Sequence, residues 1–343
     1  WVQKFEEKFI DLSGSKYAIA VNSATSGLHS ALEACNLKSG DEVISPGLTV
    51  VMNSFVTLAG NYVPVFADVN PKNWNIDIET ILPKVTNKTK VIMPVSLFGQ
   101  PSDMSFINKI AKKHNVPVIE DAAQSLGVFH NKKHVGTFGL FGVLSFHNTK
   151  FIHAGFGGAI LINNTDYFDN AMEIYNRGTN RHLFQQNKVN KYNWTSFGSS
   201  HGNSDINFAV LYSQLENLDK IISKRKKIYK TYEKEFEHLI NFGVKLQNLK
   251  NTTSSNYSSF YVLTNNLNER NQLIKFLKEN QITSQFHYVN LHDSPMGKKV
   301  TKTKKLNISE SVSSRVVRLP IYPDLKKWEI DKIVSFVNSF YQF

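Results

Sequence analysis

The chain opens on a helical spacing of apolar residues. Trp1, Phe5, Phe9 and Leu12 share one side of an amphipathic helix over residues 1 to about 12. Short apolar runs then alternate with helical patterns. The runs Tyr17–Val21, Glu42–Ser45, Val63–Val69, Lys90–Val95, Val116–Glu120, Val143–Phe146 and Ala159–Ile162 predict seven strands. Helical patterns lie between several of them, including Ser26–Ala34 and Phe106–His114. This alternation implies an α/β unit, a mostly parallel sheet covered on both faces, over residues 1–207. Past about residue 207 the texture changes. Ala209–Phe236 reads as one long helix able to connect two domains. A strand-like Ser259–Leu263, a helix around Glu269–Glu279, a segment near Gln285–Val289 and a last helix over about Trp328–Phe340 follow. Residues 208–343 therefore read as the connecting helix plus a small α+β domain. No internal repeat or low-complexity tract interrupts either part.

Length and composition narrow the class. The 343 residues suffice for one large domain and a smaller one. An apolar content of 41%, with 12% aromatics, excludes a disordered chain. Cys35 is the only cysteine, which excludes an internal disulfide framework and a multi-cysteine zinc cluster and fits a reducing, cytoplasmic setting. No apolar run is long enough to span a bilayer, and no signal-peptide pattern is visible. The chain starts at Trp1 rather than Met, which leaves open a preceding segment. The formal charge of +12 favours anionic ligands, phosphate-bearing substrates among them. Lys224–Lys227 on a helical stretch reads as a solvated face. The lysines between Lys298 and Lys305 read as a solvated loop that could also steer an anion. No motif interleaves base-stacking aromatics with this charge, so nucleic acid is not an expected partner.

Three segments carry candidate chemistry. Asn22-Ser23-Ala24-Thr25-Ser26-Gly27-Leu28 follows a strand and opens a helix. Free N–H groups at a helix start, with the hydroxyls of Thr25 and Ser26, suit a phosphate, although many helices begin with such a cap. Asp121 ends an apolar strand at the carboxyl edge of the predicted sheet, where open α/β sheets bind ligands. Seen alone it is equally a helix N-cap. Gln124 stands one helical turn further on. Lys150 lies between a strand and the glycine run Gly155-Phe156-Gly157-Gly158, which lets the backbone turn tightly beside a ligand. His147 reads either as a packed polar residue or as a pocket residue. A strand ending in a carboxylate, followed by a lysine on a later turn, is what pyridoxal phosphate (PLP) chemistry needs. The amine forms a Schiff base with the cofactor aldehyde, and the carboxylate keeps the ring nitrogen protonated.

These segments resemble the DegT/DnrJ/EryC1/StrS sugar-nucleotide aminotransferases, PLP enzymes of fold type I (aspartate aminotransferase-like). The matching stretches are Asn22–Leu28, Gly40–Ile44, Pro64–Val69, Glu120–Ser125, Ser145–Lys150 and Gly157–Ala159, and the resemblance covers nearly the whole chain. Arg177–Arg181, Lys191–Trp194, Gly198–Ser200, Ser204-Asp205, Phe286–Tyr288, Leu291-His292 and Arg318–Pro320 resemble the branch that aminates C4 of a dTDP-4-keto-6-deoxyhexose. The resemblance implies a seven-stranded large domain and a two-step transfer from L-glutamate to a dTDP- or UDP-linked 4-keto-6-deoxy sugar. It implies Lys150 as Schiff-base lysine and proton shuttle, Asp121 on the pyridine nitrogen, and Gln124 on the cofactor's 3-hydroxyl. Thr25, Ser26 and Ser145 would hold the phosphate, and Asn203 would add a phosphate contact from a partner chain. His147, Asn180, Arg181, Tyr192, Trp194, His287 and His292 would bind substrate, the loop around Asn180–Trp194 reaching a partner's site in a homodimer.

The chain departs from the family pattern in places. Val50 stands where the family often stacks an aromatic on the cofactor ring, and the usual phosphate-binding asparagine aligns near Gly202, with Asn203 beside it. The family usually has additional residues ahead of the first helix, which help shape the sugar site. Related readings are a GDP-4-keto-6-deoxymannose 4-aminotransferase, a 3-keto sugar aminotransferase, a PLP-dependent sugar dehydratase and a non-catalytic binding protein of the same fold. The dehydratases carry histidine where Lys150 stands, and a binding protein needs neither Lys150 nor Asp121.

Overall fold

The structure, a computed structural model, describes residues 1–247, 249 and 254–342. Its large sheet is built from β1 (Tyr17–Val21), β2 (Glu42–Pro46), β3 (Val63–Ala67), β4 (Thr89–Ile92), β5 (Ile119–Asp121), β6 (Phe141–Ser145) and β7 (Gly158–Ile162). The helices of eight or more residues are α1 (Val2–Ser13), α2 (Ala24–Ala34), α3 (Met52–Ala59), α4 (Met104–His114), α5 (Phe168–Tyr175), α6 (Asp205–Leu215), α7 (Leu218–Glu235), α8 (Leu267–Glu279), α9 (Asn307–Arg315) and α10 (Lys327–Phe340).

The strand order is β1-β7-β6-β5-β4-β2-β3. Only β7 runs antiparallel to its neighbours, β1 and β6. The β5–β4 junction is made by the parallel bridges Ile92–Val118 and Val95–Asp121 rather than a full ladder. Prolines explain the short pairing: Pro94 and Pro117 lack an N–H, yet their carbonyls accept from Asp121 and Ile92. The same prolines make the observed β4 and β5 shorter than their apolar runs predict.

Helices cover both faces, as uniformly apolar strands require. On one face, Leu28, Ala31 and Leu32 of α2 pack against Val43, Val143 and Ile160. On the other, Phe5 and Phe9 of α1 stack at 5.1 Å and meet Phe146 edge-on, with Phe208 of α6 in the same cluster. Two glycines permit the close approach of α2. A Cβ on Gly27 would sit 2.8 Å from Val143 Cγ1, and one on Gly158 would sit 2.7 Å from the Ala24 amide nitrogen.

Glu120, 1% exposed, holds the next loop in place. Its carboxylate accepts from the amides of Gly136, Phe138 and Gly139 at 2.9, 2.5 and 2.7 Å. Glu120→Ala leaves one buried and two part-buried N–H groups without an acceptor, and urea unfolding is expected to show a loss of about 3 kcal/mol.

The single helix expected over Ala209–Phe236 is two helices, α6 and α7. The break falls at Glu216-Asn217, where Asn217 leaves helical geometry and its side chain caps the Ser213 carbonyl at 3.0 Å. Phe208, Leu211, Leu215 and Leu218 share a core with Phe5 and Phe146, whereas Ile228, Tyr229 and Tyr232 belong to a second core. The change of core thus falls within α7, inside the connecting helix of the 208–343 stretch. The second core is built on an antiparallel sheet, β8 (Lys245–Leu246), β9 (Phe260–Leu263) and β10 (Val316–Leu319), packed under α7, α8 and α10. The Gln285–Val289 segment forms no strand; Gln285 alone bridges to Arg318 of β10.

Candidate active site

Strands β1, β5 and β6 end at one edge of the large sheet, and the residues that follow them wall a cavity of about 820 Å³. Asn22–Thr25, Val50, Asp121, Gln124, Ser145, His147 and Lys150 line it from the large unit. Ser258, Ser259, Gln285, His287, Tyr288 and Arg318 close it from the C-terminal unit.

Asp121 is held from two sides. Its Oδ1 accepts from the Ala123 amide at 3.0 Å, and its Oδ2 accepts from Asn53 Nδ2 at 2.9 Å. Lys150 sits on the turn after β6. That turn is closed by the amides of Phe146, Asn148 and Lys150, which donate to the carbonyls of Gly157, Gly155 and His147. Gly155 takes φ 76°, which a side chain would oppose. Burial pushes the Asp121 carboxyl up and the Lys150 amine down, toward their neutral forms, and the attraction between them opposes both. Arg318 lowers the Lys150 amine further. An amine displaced toward neutrality is a readier nucleophile than a free lysine.

The start of α2 faces the same space. Ser23 caps the helix by accepting from the Ser26 amide at 3.1 Å, and Thr25 lines the cavity. The Ser26 hydroxyl is turned inward, donating to Asn22 Oδ1 at 2.5 Å. Gln124 bridges the two units: its Oε1 accepts from the Phe98 amide and its Nε2 donates to the Tyr288 hydroxyl, both at 2.7 Å. Burial, then Arg318 and Lys150, lowers His287 to about 4, so it faces the cavity as a neutral imidazole. Burial holds the Tyr288 phenol up at about 12.

The other candidate residues lie outside this cavity. Asn203 pins the glycine run, donating to the Phe156 carbonyl at 3.2 Å. Asn180 ties its own loop together through the Lys191 carbonyl and the Asn193 amide. Arg181 and Tyr192 are exposed, and Trp194 is 82% exposed. His292 is buried against Glu310 at 3.0 Å. Asn53 belongs to no motif, and its signal in the sequence is the one amide on a helix, α3, whose other residues are apolar or hydroxyl-bearing. As a positioning residue it orients Asp121. Asn53→Ala removes one of the two donors to that carboxylate, and PLP titration is expected to show about tenfold weaker binding.

The donor set fits PLP on its own chemistry. The start of α2, with Thr25, lines the cavity and would hold a phosphate. A buried, doubly hydrogen-bonded carboxylate, still raised toward its neutral form, lacks the cation that a ring nitrogen would supply. A nucleophilic amine faces it across the cavity. Fold and site together define a PLP-dependent transferase of fold type I. The chain belongs to the DegT/DnrJ/EryC1/StrS aminotransferase family, whose sequence model matches residues 1–338. It is 32% identical over 341 residues to the GDP-perosamine synthase of Escherichia coli O157:H7, spanning 99% of this chain and 90% of that protein. A DegT DnrJ EryC1 StrS aminotransferase from Brucella abortus superposes with TM-score 0.90 at 27% identity, over 100% of this chain and 90% of that one. DesV of S. venezuelae does so with TM-score 0.91 at 25% identity, over 100% and 89%. The protein is therefore a PLP-dependent sugar aminotransferase. Among the described residues no helix is long and apolar enough to cross a membrane, and no side-chain cluster suits a metal ion.

Proposed function

We propose that this enzyme moves an amino group from L-glutamate to the C4 keto group of a nucleotide-linked 4-keto-6-deoxyhexose. The observation that carries the reading is the pairing of Lys150 with Asp121 across one cavity at the carboxyl edge of the sheet. When bound, the cofactor supplies an aldehyde that holds the amino group and a ring that takes up electrons. Lys150 would hold that aldehyde and carry the proton to and from the reacting carbon in each half-reaction. Asp121, oriented by Asn53, would keep the ring nitrogen charged. Thr25 and Ser145 would bind the phosphate, Ser26 would join them only by turning its hydroxyl away from Asn22, and Gln124 would meet the ring hydroxyl from its place beside Phe98 and Tyr288. His147 and His287 would face the sugar.

Of the possible carriers, the likeness to a GDP-perosamine synthase favours a GDP-linked 4-keto-6-deoxymannose over the dTDP- or UDP-linked sugar that the C4-branch motifs suggest. We further propose a homodimer in the cytoplasm. Exposed Val51, Phe55, Phe156, Phe197 and Ile206 support an interface near the site. That interface would bring Asn180, Arg181, Tyr192, Trp194 and Asn203 to a partner's cavity. The test is turnover with L-glutamate and each of the GDP-, dTDP- and UDP-4-keto-6-deoxy sugars. A 4-amino product from the GDP sugar at the highest kcat/KM supports the reading. Product from a 3-keto sugar alone would overturn it.

A further inference from the structure

A separate cavity, of about 1020 Å³, shares no lining residue with the active site. It lies between the Pro71–Trp74 loop of the large unit and α7, β8, β9 and α9. Five cations line it, Lys72, Lys230, Lys234, Lys245 and Arg315, against two acids, Glu233 and Glu237. Lys230 takes Glu233 at 2.5 Å, and Glu237 is exposed to solvent. Among the described residues, Lys72, Lys234, Lys245 and Arg315 have no carboxylate within ion-pair distance. Trp74, Leu246, Tyr261, Leu263 and Val312 give the cavity an apolar wall. Gln247, 4% exposed, also lines it, and its side-chain carbonyl has no donor among the described residues. A buried acceptor without a donor is costly, and a ligand N–H removes the cost.

A packed route joins this cavity to the active site. Trp74 of its wall takes φ 59°, and Phe98 takes φ 55°. Bulky side chains rarely hold the left-handed region, and such strain persists only where the surroundings fix it. Both rings pack on Tyr261, with centroids 4.1 and 5.0 Å away. The Phe98 amide in turn donates to Gln124, which donates to the Tyr288 hydroxyl. Size, charge and lining narrow the ligand. The volume suits a molecule as large as a nucleotide. Four unpaired cations suit more than one negative charge. The apolar wall and the buried acceptor suit a ring that carries an N–H. A bare phosphate meets only the charge requirement, whereas a nucleoside diphosphate meets all of them. We propose that this cavity is an effector site for a nucleoside diphosphate, free or within a nucleotide-linked sugar, and that its occupancy reaches Gln124 through Tyr261 and Phe98. The effect on rate rests on the reading of L-glutamate as donor; the binding does not.

The test is calorimetric titration of the PLP-loaded enzyme with GDP, UDP, GDP-mannose, UDP-glucose and pyrophosphate, on wild type and on the double variant Lys72→Glu/Lys234→Glu. Both lysines are exposed and lie outside the active site, so the variant should fold and keep its basal rate with L-glutamate. Wild type is expected to show a nucleotide site that weakens by about tenfold or more when the two charges are reversed. A nucleotide held in the active site would keep its affinity in the variant, which tells the two sites apart. The better of GDP and UDP should bind this site about tenfold tighter than pyrophosphate. Tighter binding of its sugar-linked form would assign that form as the effector, and weaker binding would assign the free diphosphate. With no sugar substrate present, the saturating nucleotide should change the rate at which L-glutamate bleaches the cofactor band by about fivefold in wild type and leave the variant unaffected. Affinities that the double variant leaves intact, pyrophosphate binding as tight as the nucleotides, or a bleaching rate that they do not alter would overturn the proposal. A wild type that aminates no keto sugar, yet loses this site in the variant, would count against the sugar reading alone.

Discussion

Lys150→Ala is expected to abolish turnover, lowering kcat by about 10⁴-fold or more, the upper end of what one positioned acid–base group contributes. The substitution removes two functions at once: the amine that would hold the cofactor aldehyde, and the base that would move the proton in each half-reaction. The turn that carries Lys150 is held by backbone bonds from Phe146, Asn148 and Lys150 itself, none of which needs the ammonium. Burial already disfavours the charged amine, so its removal should not lower the unfolding midpoint. The purified variant should therefore be folded and without the visible band of lysine-bound PLP. Exogenous alkylamine should restore part of the proton transfer, and a variant that kept the wild-type rate would remove Lys150 from the chemistry.

The second large effect belongs to Asp121. Asp121→Asn keeps the shape and can still accept from the Ala123 amide, but it loses the charge that would hold a proton on the ring nitrogen. Removing a preorganised charge of this kind costs about 10²- to 10³-fold in kcat. The pH dependence follows in sign. Burial raises the Asp121 carboxyl above the ordinary aspartate range, so its charged form is lost at a higher pH than in a free aspartate. PLP association with the cofactor-free protein should therefore weaken as pH falls, and that acid limb should be absent in Asp121→Asn. A variant with the wild-type limb would assign the limb to another group.

Much of this was legible in the chain because the apolar runs of a buried parallel sheet are continuous. All seven strands stand where their runs predict, and Lys150, Asp121, Gln124, Thr25, Ser145, His147 and His287 converge on one cavity. What local patterning did not carry were effects set by single partners elsewhere. The break between α6 and α7 depends on one asparagine side chain capping a carbonyl, which hydrophobic periodicity does not register. Asn53 meets Asp121 across 68 residues of sequence. Arg318 stood out only as part of the family-like stretch Arg318–Pro320, and only the fold puts it, with Lys150, in the lining of both the site cavity and the neighbouring one. The residues at 180, 181, 192, 194, 203 and 292 lie outside the site cavity.

The most direct measurement is the absorption spectrum of the PLP-loaded protein, taken before and after L-glutamate and again after a GDP-linked 4-keto-6-deoxy sugar. A two-step aminotransferase working through Lys150 should lose its visible band with glutamate and regain it with the keto sugar. A band that glutamate leaves unchanged, or no band in the presence of excess PLP, would contradict the account.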